Sequence, residues 1–245
     1  MISENKKLVA EVKPEGDGAQ VKRLFPTSDF SHLDPFVLLD EFSVEAPNKF
    51  SEHEHRGFEA VTYMLSGSFV HEDNLGNNSK VKAGGLQSFN AGKSLIHSEA
   101  PGEQEGHSHG IQLWVNLPRQ EKQSEPSYQK FSAEEIPEQE NDNLKIRTVA
   151  GPGSHLQLHA DIIFQDVIMK KGANYNIQLA PENQAIIYVI EGEINSGESL
   201  QAGEGYLLAP ETELEVEGVS SKSQFIFLVG EPLDQDIEIQ GSFVK

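Results

Sequence analysis

Two pairs of side chains in the N-terminal half carry the clearest chemistry. His53 and His55 stand two residues apart in FSEHEHRGFEAVTYML, and His97 and Glu99 repeat that spacing in SLIHSEAP. Alternate side chains of an extended strand share a face, so each pair can converge on one point while Glu52 and Glu54 turn the other way. Together they offer three imidazole nitrogens and one carboxylate oxygen. Such a set suits Fe(II), Mn, Ni, Cu or Zn, whereas Ca and Mg favour all-oxygen shells. One carboxylate against a divalent ion leaves the site net positive, which welcomes an anionic ligand. A six-coordinate ion would keep positions for water, substrate or oxygen, while four-coordinate zinc would be closed and structural.

A lone H-x-H or H-x-E is weak evidence, because exposed or hydrogen-bonded histidines give the same spacing. Two such pairs in one half, each at a strand, point to metal. The other histidines read differently. His71, in SFVHEDNLGN ahead of an Asn- and Gly-rich turn, reads as turn-capping or exposed. His107 and His109, in EGHSHGIQLW, read as loop residues, and His155 and His159 lack a carboxylate partner of matching geometry. Glu59 is expected either to support a ligand imidazole from behind or to pair with Arg56. Trp114, Phe58 and Phe89 are core candidates that could also line an apolar pocket.

Strands must position these groups. Short apolar or alternating runs (AVTYML, IQLWVNL, ADIIFQDVIM, AIIYVI, SQFIFLV) alternate with turn clusters such as DNLGNNS and AGPGS, the pattern of a sandwich or barrel. A polar stretch from Pro118 to Asn143 reads as a connector between two β-rich halves. The halves echo each other: AVTYMLSG (60–67) resembles AIIYVIEG (185–192), and AGGLQSFNAG (83–92) resembles AGEGYLLAPE (202–211). The fold expected is all-β, with one barrel unit used twice. Its parts are an N-terminal metal-binding barrel over residues 1–125, a connector over 126–143 and a C-terminal barrel over 144–245. Carrying the echoes across places Gln178 and Ala180 where His53 and His55 stand, and Val216 and Gly218 where His97 and Glu99 stand. The second barrel is therefore expected to bind no metal.

With 39 acidic and 19 basic side chains the net charge is −20, which repels phosphate backbones and argues against direct nucleic-acid binding. There is no cysteine, which excludes disulfides, thiolate metal sites and cysteine nucleophiles. No apolar run approaches the roughly 18 residues of a bilayer span, and the N-terminus lacks the apolar stretch of a secretory signal. A cytoplasmic protein without membrane attachment is expected.

The chain resembles the pirin family of the cupin superfamily. The resemblance begins at GDGAQVKRLFPTSDFSHLDPFVLLDEF and runs through HEHRGFEAVTYMLSGSFVHEDNLGN, KAGGLQSFNAGKSLIHSEAPG and HGIQLWVNLP. It resumes more weakly at EPSYQKFSAEEIP and GEPLDQDIEIQGSFV. It implies an all-β bicupin, two antiparallel jelly-roll-type barrels packed together, and one divalent transition metal, Fe(II) first and Ni, Cu, Mn, Co or Zn as alternatives, held by His53, His55, His97 and Glu99. Some family members open the flavonol quercetin with O2. The resemblance therefore implies a quercetin 2,3-dioxygenase-like enzyme acting on small flavonol-like aromatics, with Glu99 also serving as the catalytic base. It equally allows a non-enzymatic, iron-binding regulator that docks onto a protein partner. The chain departs from the family pattern at Gly85, Ser88 and Phe89, where an aspartate, an aromatic and a methionine are usual, so substrate shape is expected to differ.

Overall fold

The computed structural model describes residues 3–245. Apart from two single-turn 3-10 segments, the regular structure is β-strand throughout, arranged as two compact units. Among the described residues no helix is long and apolar enough to cross a membrane.

The first unit comprises Glu11–Ile136, Leu156–Ala160 and Leu233–Lys245. Its ten-stranded sheet is antiparallel, and its centre is the long strand Phe58–Asp73 between Leu86–Asn90 and His107–Asn116. Residues 59–63 of this strand pair with 86–90, while residues 69–73 pair with 97–101. One strand thus serves two walls, and the curl between them is made at Gly67. That residue has φ +71°, and a Cβ there would lie 2.1 Å from the His107 carbonyl oxygen, so only glycine fits. The curled sheet encloses Phe42 and Phe69, stacked 5.1 Å apart, with Val21, Val44, Met64 and Val81 around them.

The second unit contains the strand Lys6–Val9 with Pro137–His155 and Asp161–Pro232. A seven-stranded antiparallel sheet and a four-stranded one enclose a core that includes Val167, Val189, Ile194, Val216 and Phe225. The repeat seen in the sequence is a repeat of register. Ala60 pairs with Phe89 and Tyr63 with Leu86, and their counterparts Ala185 and Tyr188 pair with Leu208 and Gly205. Gly192, the counterpart of Gly67, also has positive φ and faces a carbonyl oxygen, that of Lys222.

The division along the chain differs from the linear one. The strand Lys6–Val9 pairs with Glu204–Leu208 and belongs to the second unit. The C-terminal hairpin, Ile239–Gln240 with Phe243–Val244, belongs to the first, where Val244 N–H donates to the Arg56 carbonyl. Residues 126–143 are not a free connector either. Ser127–Phe131 pairs with Leu86–Asn90, and Glu138–Glu140 pairs with Leu144–Ala150. These segments look like linkers because they are edge strands, whose open side selects for charged side chains.

Candidate metal centre

The strand Phe50–His55 runs antiparallel to Leu95–Pro101 with His53 opposite His97. That register sets three imidazoles around one point: ring centroids of His53, His55 and His97 lie 4.5–4.9 Å apart. His55 and His97 are buried and His53 is half-buried. Each ring has its Nδ1 committed elsewhere. His53 Nδ1 lies 2.7 Å from the Ser51 carbonyl oxygen and His55 Nδ1 3.3 Å from that of Ser242. A carbonyl only accepts, so both Nδ1 atoms carry the proton and both Nε2 atoms keep a lone pair. His97 Nδ1 meets His71 Nδ1 at 3.3 Å, and its Nε2 faces His53 Nε2 at 3.1 Å. Nitrogen lone pairs crowded at that distance are matched to a borderline cation with imidazole preference.

Burial keeps the His55 and His97 rings in the basic form. Desolvation, aided by the neighbouring His53, lowers the His55 pKa to about 3, against a weaker opposing hydrogen bond to Ser242. Desolvation and the surrounding imidazoles hold His97 well below 6.5. Unfolded histidines titrate near 6.5, so between the folded and unfolded values the unfolded chain binds more protons and stability falls as pH falls. The metal-free protein is expected to lose up to about 1.4 kcal/mol per pH unit for each of these two imidazoles as pH drops below about 6.5. Denaturant unfolding after chelation measures this, and a flat profile down to about pH 5 would show that the rings are already solvated.

Glu99 sits differently from the spacing argument. Its side chain is buried and lines the same cavity as the three imidazoles. Its Oε1, however, accepts from Gln87 Nε2 at 2.5 Å and lies 3.8 Å from His71 Nδ1. Its carboxylate therefore groups with His97 and His71, and His97 is common to the two clusters. His71 corrects the sequence reading: it is fully buried, neither capping nor exposed. Its Nε2 meets Asp73 Oδ2 at 3.0 Å, and the Tyr128 ring stacks on it at 4.7 Å. Tyr128 donates to Gln87 Oε1 at 3.0 Å, so a residue of the supposed connector helps to hold Glu99. One signal for His71 was present in the sequence, since H-E-D has the same two-residue spacing as the other pairs.

The remaining candidates separate cleanly. Arg56 pairs with Glu54, not Glu59. Glu59 is buried and accepts from the backbone N–H of His159 and pairs with its Nδ1, both at 2.9 Å, so His159 has the partner it was thought to lack. Burial raises the Glu59 pKa, partly offset by His159. His107 and His109 lie in a strand rather than a loop, with His109 Nε2 2.9 Å from Glu41 Oε1. Phe58 and Phe89 are core residues, and Trp114 stacks on Phe58 while lining the cavity. In the second unit the pairing register places Tyr175 opposite Val216 and Ile177 opposite Leu214, where the first unit has His53 opposite His97 and His55 opposite Leu95. Gln178 and Ala180 are not the counterparts, because the segment leading to the next strand is longer there. Tyr175 packs against the second core.

Residues 18–115 match the Pirin family, and residues 164–245 match the Pirin C-terminal cupin domain. Human pirin is 34% identical over 248 residues, covering 97% of this chain and 85% of its own. The chain belongs to the pirin family. A pirin-like protein of Solanum lycopersicum is 36% identical over 248 residues, covering 98% of this chain and 85% of that one. Among solved structures, a quercetin 2,3-dioxygenase from Acinetobacter baumannii superposes with a TM-score of 0.89 at 26% identity, covering 99% of this chain and 92% of that one. A bacterial pirin from Escherichia coli, in complex with nickel(II), superposes at 0.78 with 22% identity, covering 93% and 99%. That second likeness shows the pirin fold alone. The all-β, two-cupin architecture expected from the sequence is thus the pirin architecture.

Proposed function

We propose that this pirin is a metal-dependent dioxygenase that opens flavonol-like, quercetin-type aromatics with O2. Its centre would be one divalent transition metal, Fe(II) before Ni, Cu, Mn, Co or Zn, held by His53, His55, His97 and Glu99. The observation that carries this reading is the tautomer arrangement: carbonyls of Ser51 and Ser242 hold the Nδ1 protons of His53 and His55, leaving Nε2 lone pairs that face one point. The name of the Acinetobacter baumannii neighbour supports the choice of substrate.

A bound divalent metal would lower the pKa of a coordinated hydroxyl and orient it. The chain's own groups do the rest. Glu99 has Oε1 tied to Gln87, which leaves its other oxygen to take the hydroxyl proton. Trp114, backed by Phe58 stacked 4.0 Å from it, lines the cavity with Phe42, Phe50 and Phe69, and these rings form an apolar wall suited to a planar ring. The cavity they border has a volume of about 320 Å³, within the range of small-molecule sites. It would admit one such ligand, which O2 then cleaves with release of carbon monoxide.

The test is anaerobic purification, metal analysis, loading with Fe(II) and following the quercetin absorbance once oxygen is admitted. Turnover that depends on metal and is abolished in His55→Ala is expected. Tight metal binding without turnover on any first-row metal would sink the enzyme and favour a regulator docking onto a protein partner.

A further inference from the structure

The cavity has a polar wall that the imidazoles do not explain. Arg23, Asp40, Gln112 and Thr62 are direct cross-strand neighbours on four adjacent strands. They form one row on one face of the sheet. Arg23, Asp40 and Gln112 line the same cavity as the histidines, together with Glu15. The neighbouring row, Leu38, Trp114 and Ala60, is two residues away along the same strands, a step of roughly 7 Å. Trp114 in that row touches His55, with ring centroids 5.1 Å apart. The polar row is therefore one strand step beyond the imidazoles.

Its hydrogen bonds are only partly closed. Arg23 donates from Nε and Nη2 to the two oxygens of Asp40 at 2.9 and 2.7 Å, and from Nη2 to Glu15 at 2.9 Å. Gln112 Oε1 accepts from Thr62 at 2.7 Å. The Gln112 amide nitrogen has no protein acceptor among the described residues and is left for a ligand. The row therefore offers an amide donor beside carboxylates that keep free lone pairs. One guanidinium against two carboxylates leaves the wall net negative. A hydroxyl, which both donates and accepts, satisfies both kinds of group.

We propose that Gln112, Asp40 and Glu15 form a second subsite that binds a neutral hydroxyl on the ligand ring remote from the metal. This inference rests on the flavonol reading and deepens it. The substrate class becomes polyphenols whose metal-binding oxygens and outer-ring hydroxyls lie at opposite ends of one flat molecule.

Trp114 is the sole tryptophan of the sequence and lines the cavity, so its fluorescence reports occupancy. Quercetin and galangin, which share the metal-binding rings but differ in the outer-ring hydroxyls, are titrated into the metal-loaded protein without oxygen. Wild type is expected to bind quercetin at least about fivefold more tightly than galangin. Gln112→Leu, of similar shape, is expected to bring the two within about twofold while galangin affinity holds, which also reports that the variant is folded. Equal affinity in wild type would overturn the subsite and leave the flavonol reading standing. Quenching by neither ligand would overturn the flavonol reading and the subsite with it.

Discussion

His55→Ala is expected to weaken binding of Fe(II) or Zn(II) by more than about 100-fold, beyond the 10- to 100-fold usual for losing a group that only supports a ligand. The reason lies in what the ring is prepared to do. Its Nδ1 proton is held by the Ser242 carbonyl, and its pKa of about 3 leaves Nε2 unprotonated at any physiological pH. No proton competes for the site and no side-chain reorientation precedes binding. The ring is also packed against Phe58, Phe89 and Trp114. Truncation to alanine therefore leaves a cavity costing about 2–4 kcal/mol with or without metal. Chelator competition on folded protein separates the two effects, and His107→Ala, an exposed ring on the same unit, is expected to leave affinity unchanged. Undiminished metal retention in His55→Ala would remove the three-imidazole centre from consideration.

Much of this site was legible in the sequence because its spacing is local. Two residues along a strand return a side chain to the same face whatever the strand pairs with, so His53 with His55 and His97 with Glu99 could be seen as pairs. What pairs across strands could not be seen. Gln112 stands beside Asp40 and Thr62 only through a register between segments some fifty or more residues apart, and nothing local encodes that register. His71 was misread for a different reason. The strand Phe58–Asp73 runs on to the turn itself, so a residue near Asn- and Gly-rich sequence is still inside the barrel. The echo between the halves was sound at Ala60 and Ala185, where register repeats. Counting backward from it to Gln178 failed, because the loop length before that strand changed. Edge strands posed as a connector for want of apolar residues, and strand Lys6–Val9 joined a unit that begins far along the chain.

The second large effect is expected at His71, which lies behind His97. His97 can present Nε2 to an ion only if its own proton stays on Nδ1, and the His71 Nδ1 at 3.3 Å is the acceptor placed to keep it there. His71 can accept only while its proton sits on Nε2, where Asp73 receives it at 3.0 Å. Burial lowers the pKa of His71, but Glu99 and Asp73 outweigh it and the net direction is upward, so the accepting role belongs to the neutral ring and is lost once the ring takes a second proton. A carboxylate–imidazole–imidazole chain of this kind fixes a ligand's tautomer and orientation, and losing it typically costs 10- to 100-fold in metal affinity. His71→Phe is therefore expected to bind metal about 10- to 100-fold more weakly. His71→Asn, whose amide oxygen can occupy the place of Nδ1, is expected to recover most of that loss. The fold should tolerate both changes, because Asp73 also accepts from the backbone of Leu75 and Asn77 and from the Asn77 amide. Affinity in His71→Phe equal to wild type, measured by chelator competition, would reduce His71 to a packing residue. Equal loss in both variants would assign the effect to shape and not to the hydrogen bond.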